Sequence, residues 1–414
     1  MKVLVVGKGG REHALALAAK RSPQCTELFM APGNPGMAQI GTCVNISDSD
    51  IEGLVDFAKQ NKIDLTIVGP EATLAKGIAD AFEKEGLKLF GPSQAATQVE
   101  SSKDFAKRIM KKHNIPTASY ETFDTFDTAW TYVQKQGAPI VIKEDGLKAG
   151  KGVTVAMNLD DAKEALEIAF SIPENKVVIE EYLEGFEYSL IALVHNDLVV
   201  PLEVAQDHKR VNDGDQGPNT GGMGSYSPVK KITPQIIDDT MEQIMKPMAK
   251  ALVEEGVPFT GFLYGGLMLT KNGIKTIEFN ARFGDPEAEV ILARLESDFL
   301  DALLKVLDGE KPILQWNNQV SHGVVLASTN YPASSTKDAL IEIDDDMDAL
   351  LYHMGTKTKD DQLLTDGGRV LMVVTLADTL EQAYEKTYEE IKKVKSDALF
   401  YRTDIGRKDM KNNG

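Results

Sequence analysis

The chain has 414 residues, 63 of them acidic and 45 basic, which leaves a formal net charge of −18. That charge repels nucleic acid and anionic membranes, so neither is an expected partner; small anions held in local basic pockets remain possible ligands. A composition of 42% hydrophobic and 26% charged residues is that of a globular protein, long enough here for about two to four domains.

Met1-Lys2-Val3-Leu4-Val5-Val6 predicts a short apolar strand and not a signal peptide, and no apolar run approaches membrane-spanning length. A cytoplasmic protein is expected. Apolar runs at 3–6, 65–68 and 87–90 alternate with helical patterns at 11–21, 50–60 and 75–85, which predicts a doubly wound α/β domain over 1–101. Ser101 and Asp104 have capping-box spacing, so a helix is expected from there to about Lys112, within a linker at 102–116 that Pro116 ends. Strands at 139–143, 153–156 and 177–183 with a helix at 159–170 predict a small α+β lid over 117–187. Longer strands (189–194, 265–269, 275–280) and helices (234–255, 286–308) predict a central domain over 188–315. Strands at 322–328 and 369–376 and a helix at 379–394 predict a small C-terminal α+β domain over 316–414. The fold class expected is therefore multidomain, α/β followed by α+β. Cys25 and Cys43 form no Cys-x-x-Cys pair and the six histidines lack His-x-x-x-His spacing, which fits a reduced compartment and argues against zinc.

The most informative stretch is Glu278-Phe279-Asn280-Ala281-Arg282-Phe283-Gly284-Asp285-Pro286-Glu287. Alternation on a strand puts Glu278 and Asn280 on one face and Phe279 in the core. Two oxygen donors on one face suit a hard divalent cation. Arg282 adds a fixed cation, Gly284 turns the chain, Asp285 can cap and Pro286 suits a first helical position. A metal pair, a cation and a helix start within ten residues suit phosphate or acyl-phosphate chemistry.

Gly7-Lys8-Gly9-Gly10-Arg11-Glu12 follows the first strand and opens a helix, but the third glycine of a dinucleotide fingerprint falls at Glu12. What remains is a glycine turn with free amides, suited to one phosphate. Pro32-Gly33-Asn34-Pro35-Gly36 and Gly69-Pro70-Glu71 end later strands, where such sheets bind ligands; taken singly, all three fit ordinary turns. Gly146-Leu147-Lys148-Ala149-Gly150-Lys151-Gly152 lacks Walker A spacing and joins two strands. It fits a mobile lid over phosphates and a solvated loop equally well. Lys143, at the end of an apolar strand, needs an anionic partner. Lys103, in the first turn of its helix, opposes the helix dipole unless an anion lies near. The strand at 177–183 turns polar at Glu180 and Glu181, a hinge able to pair with an adenine edge, and Glu187 follows as an acceptor for ribose hydroxyls. Asp207-His208-Lys209-Arg210 and Pro218-Asn219-Thr220-Gly221-Gly222-Met223-Gly224 form a glycine-rich loop whose amides could gather round an anion.

Taken together, these segments resemble the phosphoribosylamine–glycine ligase family (glycinamide ribonucleotide synthetases) of the ATP-grasp superfamily, over nearly the whole chain. The resemblance implies an N-terminal α/β domain, an ATP-grasp lid and central domain, and a C-terminal domain. It implies that ATP, 5-phosphoribosylamine and glycine give glycinamide ribonucleotide, ADP and phosphate through glycyl phosphate, in purine synthesis. On this basis Lys103 and Lys143 touch ATP phosphates, and the loop with Gly146, Gly150 and Gly152 closes over them. Glu180, Glu181 and Leu183 frame adenine and Glu187 takes the ribose. Glu278 and Asn280 hold Mg2+ or Mn2+, and Arg282, with Lys143 and Asp285, serves catalysis. Gly10, Glu12, Asn34, Gly36 and Glu71 hold the phosphoribosylamine. Asp207, Lys209, Gly284 and Asp285 are the candidates for glycine, and Thr220, Gly221 and Gly222 complete the substrate loop. Departures from the family pattern are Lys8 for a small residue, Glu144 and Lys148 for alanines, and Ala288 and Glu289 for Thr and Gln. The strand 267–269 offers no acid, which leaves the number of metal ions open. The expected partners are small molecules, and the expected state is a monomer or weak homodimer. The alternatives are another ATP-grasp carboxylate–amine ligase or carboxylase, a nucleotide-sensing protein with an inactive ligase fold, and a dehydrogenase resting on Gly7 to Gly10 alone.

Overall fold

The computed structural model describes residues 1–148 and 152–411. Five parallel strands open the chain, in the order Thr42–Cys43, Glu27–Pro32, Lys2–Gly7, Leu65–Val68, Leu89–Phe90. Val3, Leu4, Val5 and Val6 are all buried, as both faces of the sheet are covered. Thr42–Cys43 is too short to show an apolar run, whereas Glu27–Pro32 carries Leu28-Phe29-Met30-Ala31, which the sequence reading passed over. Strand order reverses beside Lys2–Gly7, which opens a crevice at the carboxyl ends of the strands. Loops 7–10, 32–36 and 69–71 all leave from that edge. The helix expected at 75–85 is two, Glu71–Ala75 and Ile78–Lys84, parted by Gly77 in the left-handed region.

The next helix, Lys103–Lys112, is capped by Ser102 and not by Ser101. The Ser102 hydroxyl accepts from the Phe105 N–H at 3.2 Å, and Ser101 ends the preceding short helix Gln98–Ser101. An antiparallel sheet follows, in the order Tyr120–Phe123, Val177–Glu181, Ile140–Glu144, Val153–Ala156. Its apolar face packs Ile140, Ile142, Val177 and Ile179 against Ala129, Val133 and Leu166 of two helices.

A second antiparallel sheet runs Leu198–Pro201, Gly185–His195, Thr260–Thr270, Gly273–Asn280. In its last pair Gly266 faces Glu278 and Leu267 faces Thr276, so Ile277 is a bulge residue without a partner. The helix expected at 234–255 is broken into Pro234–Thr240, a π turn at Met241–Met245 and Lys246–Glu254. Pro247 has no N–H to return to the preceding turn, which accounts for the widening. The helix expected at 286–308 is likewise two, Glu287–Leu292 and Phe299–Leu307. Asp298 caps the second, accepting from the Leu300 and Asp301 amides at 3.0 and 3.3 Å.

The last large sheet is Gln206–Asp207, Gly224–Ser227, Val320–Ser328, Arg369–Ala377, Leu350–His353. Two of these strands come from sequence lying between central strands, so the 206–227 loop is anchored in the C-terminal sheet. The multidomain α/β and α+β class is as the sequence predicts. Among the described residues, no helix is long and apolar enough to cross a membrane.

Candidate active site

Glu278 and Asn280 share one face of their strand, and Phe279, 2% exposed, fills the core on the other. The bulged Ile277 carbonyl, freed from the ladder, accepts from Lys143 Nζ at 3.0 Å. Lys143 also pairs with Glu180 Oε1 at 2.9 Å, and Lys107 takes Glu180 Oε2 at 2.9 Å. All three side chains are buried, so Glu180 is the anion that Lys143 requires. The Glu180 carboxylate, expected beside adenine, is instead enclosed by two lysines. Glu181 is bound to Lys275 at 2.5 Å and to the Ser119 amide at 3.1 Å, and Leu183 lies half-buried in the connector that follows.

Lys103 sits at the helix start as expected, and Asp145 accepts its backbone N–H at 2.6 Å, supplying the anion that offsets its charge. Its ammonium donates to the Gly146 carbonyl at 2.9 Å. Gly146 has φ +89° and open space about it, while a Cβ at Gly152 would lie 2.7 Å from Lys148 Cγ. Gly150 lies outside the described residues.

From the 206–227 loop, Lys209 reaches Glu187 at 2.5 Å and Glu278 at 3.7 Å. Burial alone would raise the Glu278 carboxyl, but Lys209, Lys143 and Lys103 outweigh it and hold it below the ordinary value. Three elements distant in sequence therefore aim positive charge at one strand face.

Arg282 is fixed by Glu100 at 3.0 Å and Glu71 at 3.4 Å. Burial would raise the Glu71 carboxyl, but Arg282 and Arg11 bring it down to about 2. Arg11 pairs with Glu12 at 2.6 Å, and Glu12 accepts the Gly9 amide at 2.6 Å. The glycine turn was expected to keep its amides free for a phosphate; at Gly9 this is corrected, because Glu12 fills that space itself. A Cβ at Gly69 would lie 1.9 Å from Glu12 Oε1, so the crevice closes round this carboxylate.

Asn34 is fully engaged: it donates to the Lys8 and His353 carbonyls at 2.8 Å each and accepts from the Met37 amide at 2.9 Å. Gly36 is small for a packing reason, since a Cβ would lie 2.4 Å from both His13 and His353. Asp285 does not cap the helix that follows, and Pro286 occupies the cap position without a side-chain bond. Arg369 takes Asp285 away, pairing with its carboxylate at 3.0 Å and donating to its carbonyl at 2.8 Å. The same guanidinium donates to the Gly221 carbonyl at 2.8 Å. Thr220 ties the loop, its hydroxyl bonding to the Lys209 carbonyl at 2.8 Å and accepting from the Gly222 amide at 3.0 Å. A cleft of about 290 Å³, whose lining includes Lys8, Gly9, Gly10, Asp285 and Arg369, lies between the first glycine turn and the C-terminal sheet.

Family models for the N, ATP-grasp (A) and C domains of phosphoribosylglycinamide synthetase match residues 1–100, 101–288 and 321–408. The chain belongs to this family of phosphoribosylamine–glycine ligases. A phosphoribosylamine–glycine ligase of Halalkalibacterium halodurans is 52% identical, over 99% of this chain and 97% of its own. The crystal structure of the Thermotoga maritima phosphoribosylamine–glycine ligase is 33% identical with a TM-score of 0.86, over 98% of this chain and 100% of that one. The biotin carboxylase domain of Hydrogenobacter thermophilus 2-oxoglutarate carboxylase, solved with MgADP and bicarbonate, is 16% identical with a TM-score of 0.72, over 96% and 91% of the two chains. That likeness shows the fold alone.

Two departures from the ligase pattern cancel. Lys148 pairs with Glu144 at 2.8 Å, so together they leave the loop's charge unchanged. Glu289 is different: it is fully buried and neither carboxylate oxygen has a hydrogen-bond partner among the described residues. Sequence reasoning missed Lys107, Glu100, Arg369 and Tyr264, which act across a distance in sequence and sit in no spacing pattern that could have marked them; Glu287 closes the quoted 278–287 stretch but was given no role.

Proposed function

We propose that the protein is an ATP-dependent phosphoribosylamine–glycine ligase. The observation that carries this is the convergence of Lys103, Lys143, Lys209 and Arg282 on the Glu278–Asn280 face, within a chain of this ligase family. Phosphoryl transfer asks chiefly for positioning and charge neutralisation, and that face supplies both. A glycine carboxylate oxygen attacks the γ-phosphorus, ADP leaves and glycyl phosphate forms. The amine of phosphoribosylamine then attacks the acyl carbon, phosphate departs and a proton is lost. Neither step needs a nucleophilic side chain.

In this reading Lys103 and Lys143 meet the ATP phosphates, and Glu187 meets the ribose. With the Glu180 side chain committed to lysines, adenine is left to the backbone of Glu181 to Leu183. Arg282, locked by Glu71 and Glu100, offers a preorganised positive charge to the transferring phosphoryl group. Among the described residues, no group of three or more His, Cys, Asp or Glu could hold a metal. One carboxylate and one amide oxygen still fit an ion that takes its other ligands from phosphates and water, as Mg2+ does. Glu278 and Asn280 would hold Mg2+ or Mn2+ in that way, and the bound ion would neutralise phosphate charge. The cleft beside Gly10 suits the phosphoribosylamine. The protein is read as cytoplasmic and as a monomer or weak homodimer.

The test is an initial-rate assay of ADP release with each substrate omitted in turn. Turnover that needs glycine and phosphoribosylamine supports the reading; turnover with bicarbonate or formate in place of glycine sinks it. Glu278→Ala should remain folded by circular dichroism and lose at least about 100-fold in metal-dependent turnover. Full activity in that variant would overturn the metal assignment.

A further inference from the structure

Lys107 is a buried cation to which the ligation chemistry gives no task. It is 2% exposed, and its neighbours Glu180 and Lys143 are 3% and 4% exposed. Lys107 and Lys143 divide one carboxylate, each 2.9 Å from a different oxygen of Glu180. Both are also anchored on consecutive carbonyls of the bulged strand. Lys143 donates to Ile277 directly, while Lys107 donates at 2.8 Å to the Thr117 hydroxyl, which donates at 2.8 Å to the Thr276 carbonyl. A single lysine would already neutralise Glu180. The second is costly to bury and leaves the trio with one net positive charge.

The surrounding acids are committed to other cations. Glu181 is taken by Lys275, Asp104 by Arg108, and Glu100 by Arg282. On the helix Lys246–Glu254, which packs beside that of Lys107, Glu254 and the capping Glu255 face His113 and Lys112. The Tyr120 ring lies 5.7 Å from the Lys107 ammonium, and burial raises its hydroxyl above the ordinary value, so it stays neutral. Burial, opposed by Glu180, brings Lys107 itself down to about 8. Lys107 therefore gives up its proton at a pH where a solvated lysine keeps it.

We propose that Lys107 is a positioning residue of the ATP site: by engaging one Glu180 oxygen, it leaves the Lys143 ammonium with net positive charge to offer the phosphates. With Lys107 neutral, Glu180 and Lys143 cancel, and the Lys143 ammonium is drawn towards its carboxylate. ATP affinity is then full below about pH 8 and falls as pH rises through it. This rests on the ligase reading, which puts the ATP phosphates at Lys143, and adds to it a residue that does not touch the nucleotide.

The test is calorimetric titration of the full chain with ATP and Mg2+ from about pH 7 to about pH 9.5, where the charge of the nucleotide is constant. Wild-type Kd should rise about tenfold across that range. Lys107→Arg, whose guanidinium does not titrate there, should bind within about threefold of wild type at neutral pH and lose the pH dependence. Lys107→Met should bind about tenfold more weakly at neutral pH and also lose the pH dependence, which a loss of packing alone would not cause. Lys107→Gln takes its place if that variant does not fold. A wild-type Kd that is flat across the range would overturn the assignment. A fall that persists in a folded Lys107→Met belongs to another group, such as Lys103, which burial also lowers, and would overturn it too. A wild type that binds no ATP at any pH would instead overturn the ligase reading.

Discussion

Glu289 packs against the space a Cβ at Gly10 would need, 2.4 Å from that position. Burial, and then Asp285, push its carboxyl well above the ordinary value, while Arg369 pulls the other way. The folded protein therefore holds it as a neutral acid, close in shape and hydrogen bonding to glutamine. The unfolded chain ionises it near 4.5. Stability it contributes is then complete below that pH and is lost as pH rises towards the folded value. Each unit of upward shift costs about 1.4 kcal/mol once the pH is well above both values. Glu289→Gln should stabilise the protein by at least that much at pH 8 and make little difference below pH 4.5, by urea unfolding across the pH range. An offset independent of pH would contradict this. The sequence made Glu289 visible as a departure but not as a buried acid, because burial depends on Gly10 and Met354 from other domains. Lys143 was more legible: a cation closing an apolar strand demanded an anion, and only the identity of Glu180 was hidden.

Strands were easier to read than helices at the scale of elements. Apolar runs marked 65–68 and 275–280 because the chain alone decides those patterns. The break at 293–298 was hidden inside a continuous apolar pattern, although Asp298 could have been read as a cap. The bulge at Ile277 depends on pairing with Gly266 and Leu267, so no local pattern announced it, yet it frees the carbonyl that binds Lys143. A second such element is the C-terminal segment. Arg402, 1% exposed, donates to Asp404 at 2.8 Å, to Asp215 at 2.9 Å and to the Arg210 carbonyl at 2.9 Å. The Gly406 amide donates to His208 at 3.1 Å. Both residues flanking Lys209 are thus held from the end of the chain. Arg402→Met takes the cation from Asp404, which keeps only the Gly214 amide at 2.8 Å, and leaves Asp215 to Lys408 alone, and should cost about 3 kcal/mol in urea unfolding. The surviving folded fraction should show a raised KM for glycine. Wild-type stability would mean that this clamp is idle.

Across the whole molecule, three of the four cations of the site are held by acids distant in sequence: Lys143 by Glu180, Lys209 by Glu187, Arg282 by Glu71 and Glu100. The surface is strongly acidic, and the site concentrates positive charge locally, as an enzyme for anionic substrates requires. His13 and His353 form a neutral latch between the N-terminal domain and the C-terminal sheet, with the His353 amide donating to His13 at 3.0 Å. Burial lowers their pKa values to about 3 and 4. Motifs weak by themselves identified the family because they recur together. The passage of 206–227 into the C-terminal sheet was not legible, since its pairing partners lie about a hundred residues away. The most direct test of the proposed chemistry is single-turnover with glycine labelled with oxygen-18 in its carboxylate. Ligation through glycyl phosphate passes a carboxylate oxygen to the phosphate, so the released phosphate should carry a single labelled atom. Unlabelled phosphate, formed while ADP accumulates, would contradict the account.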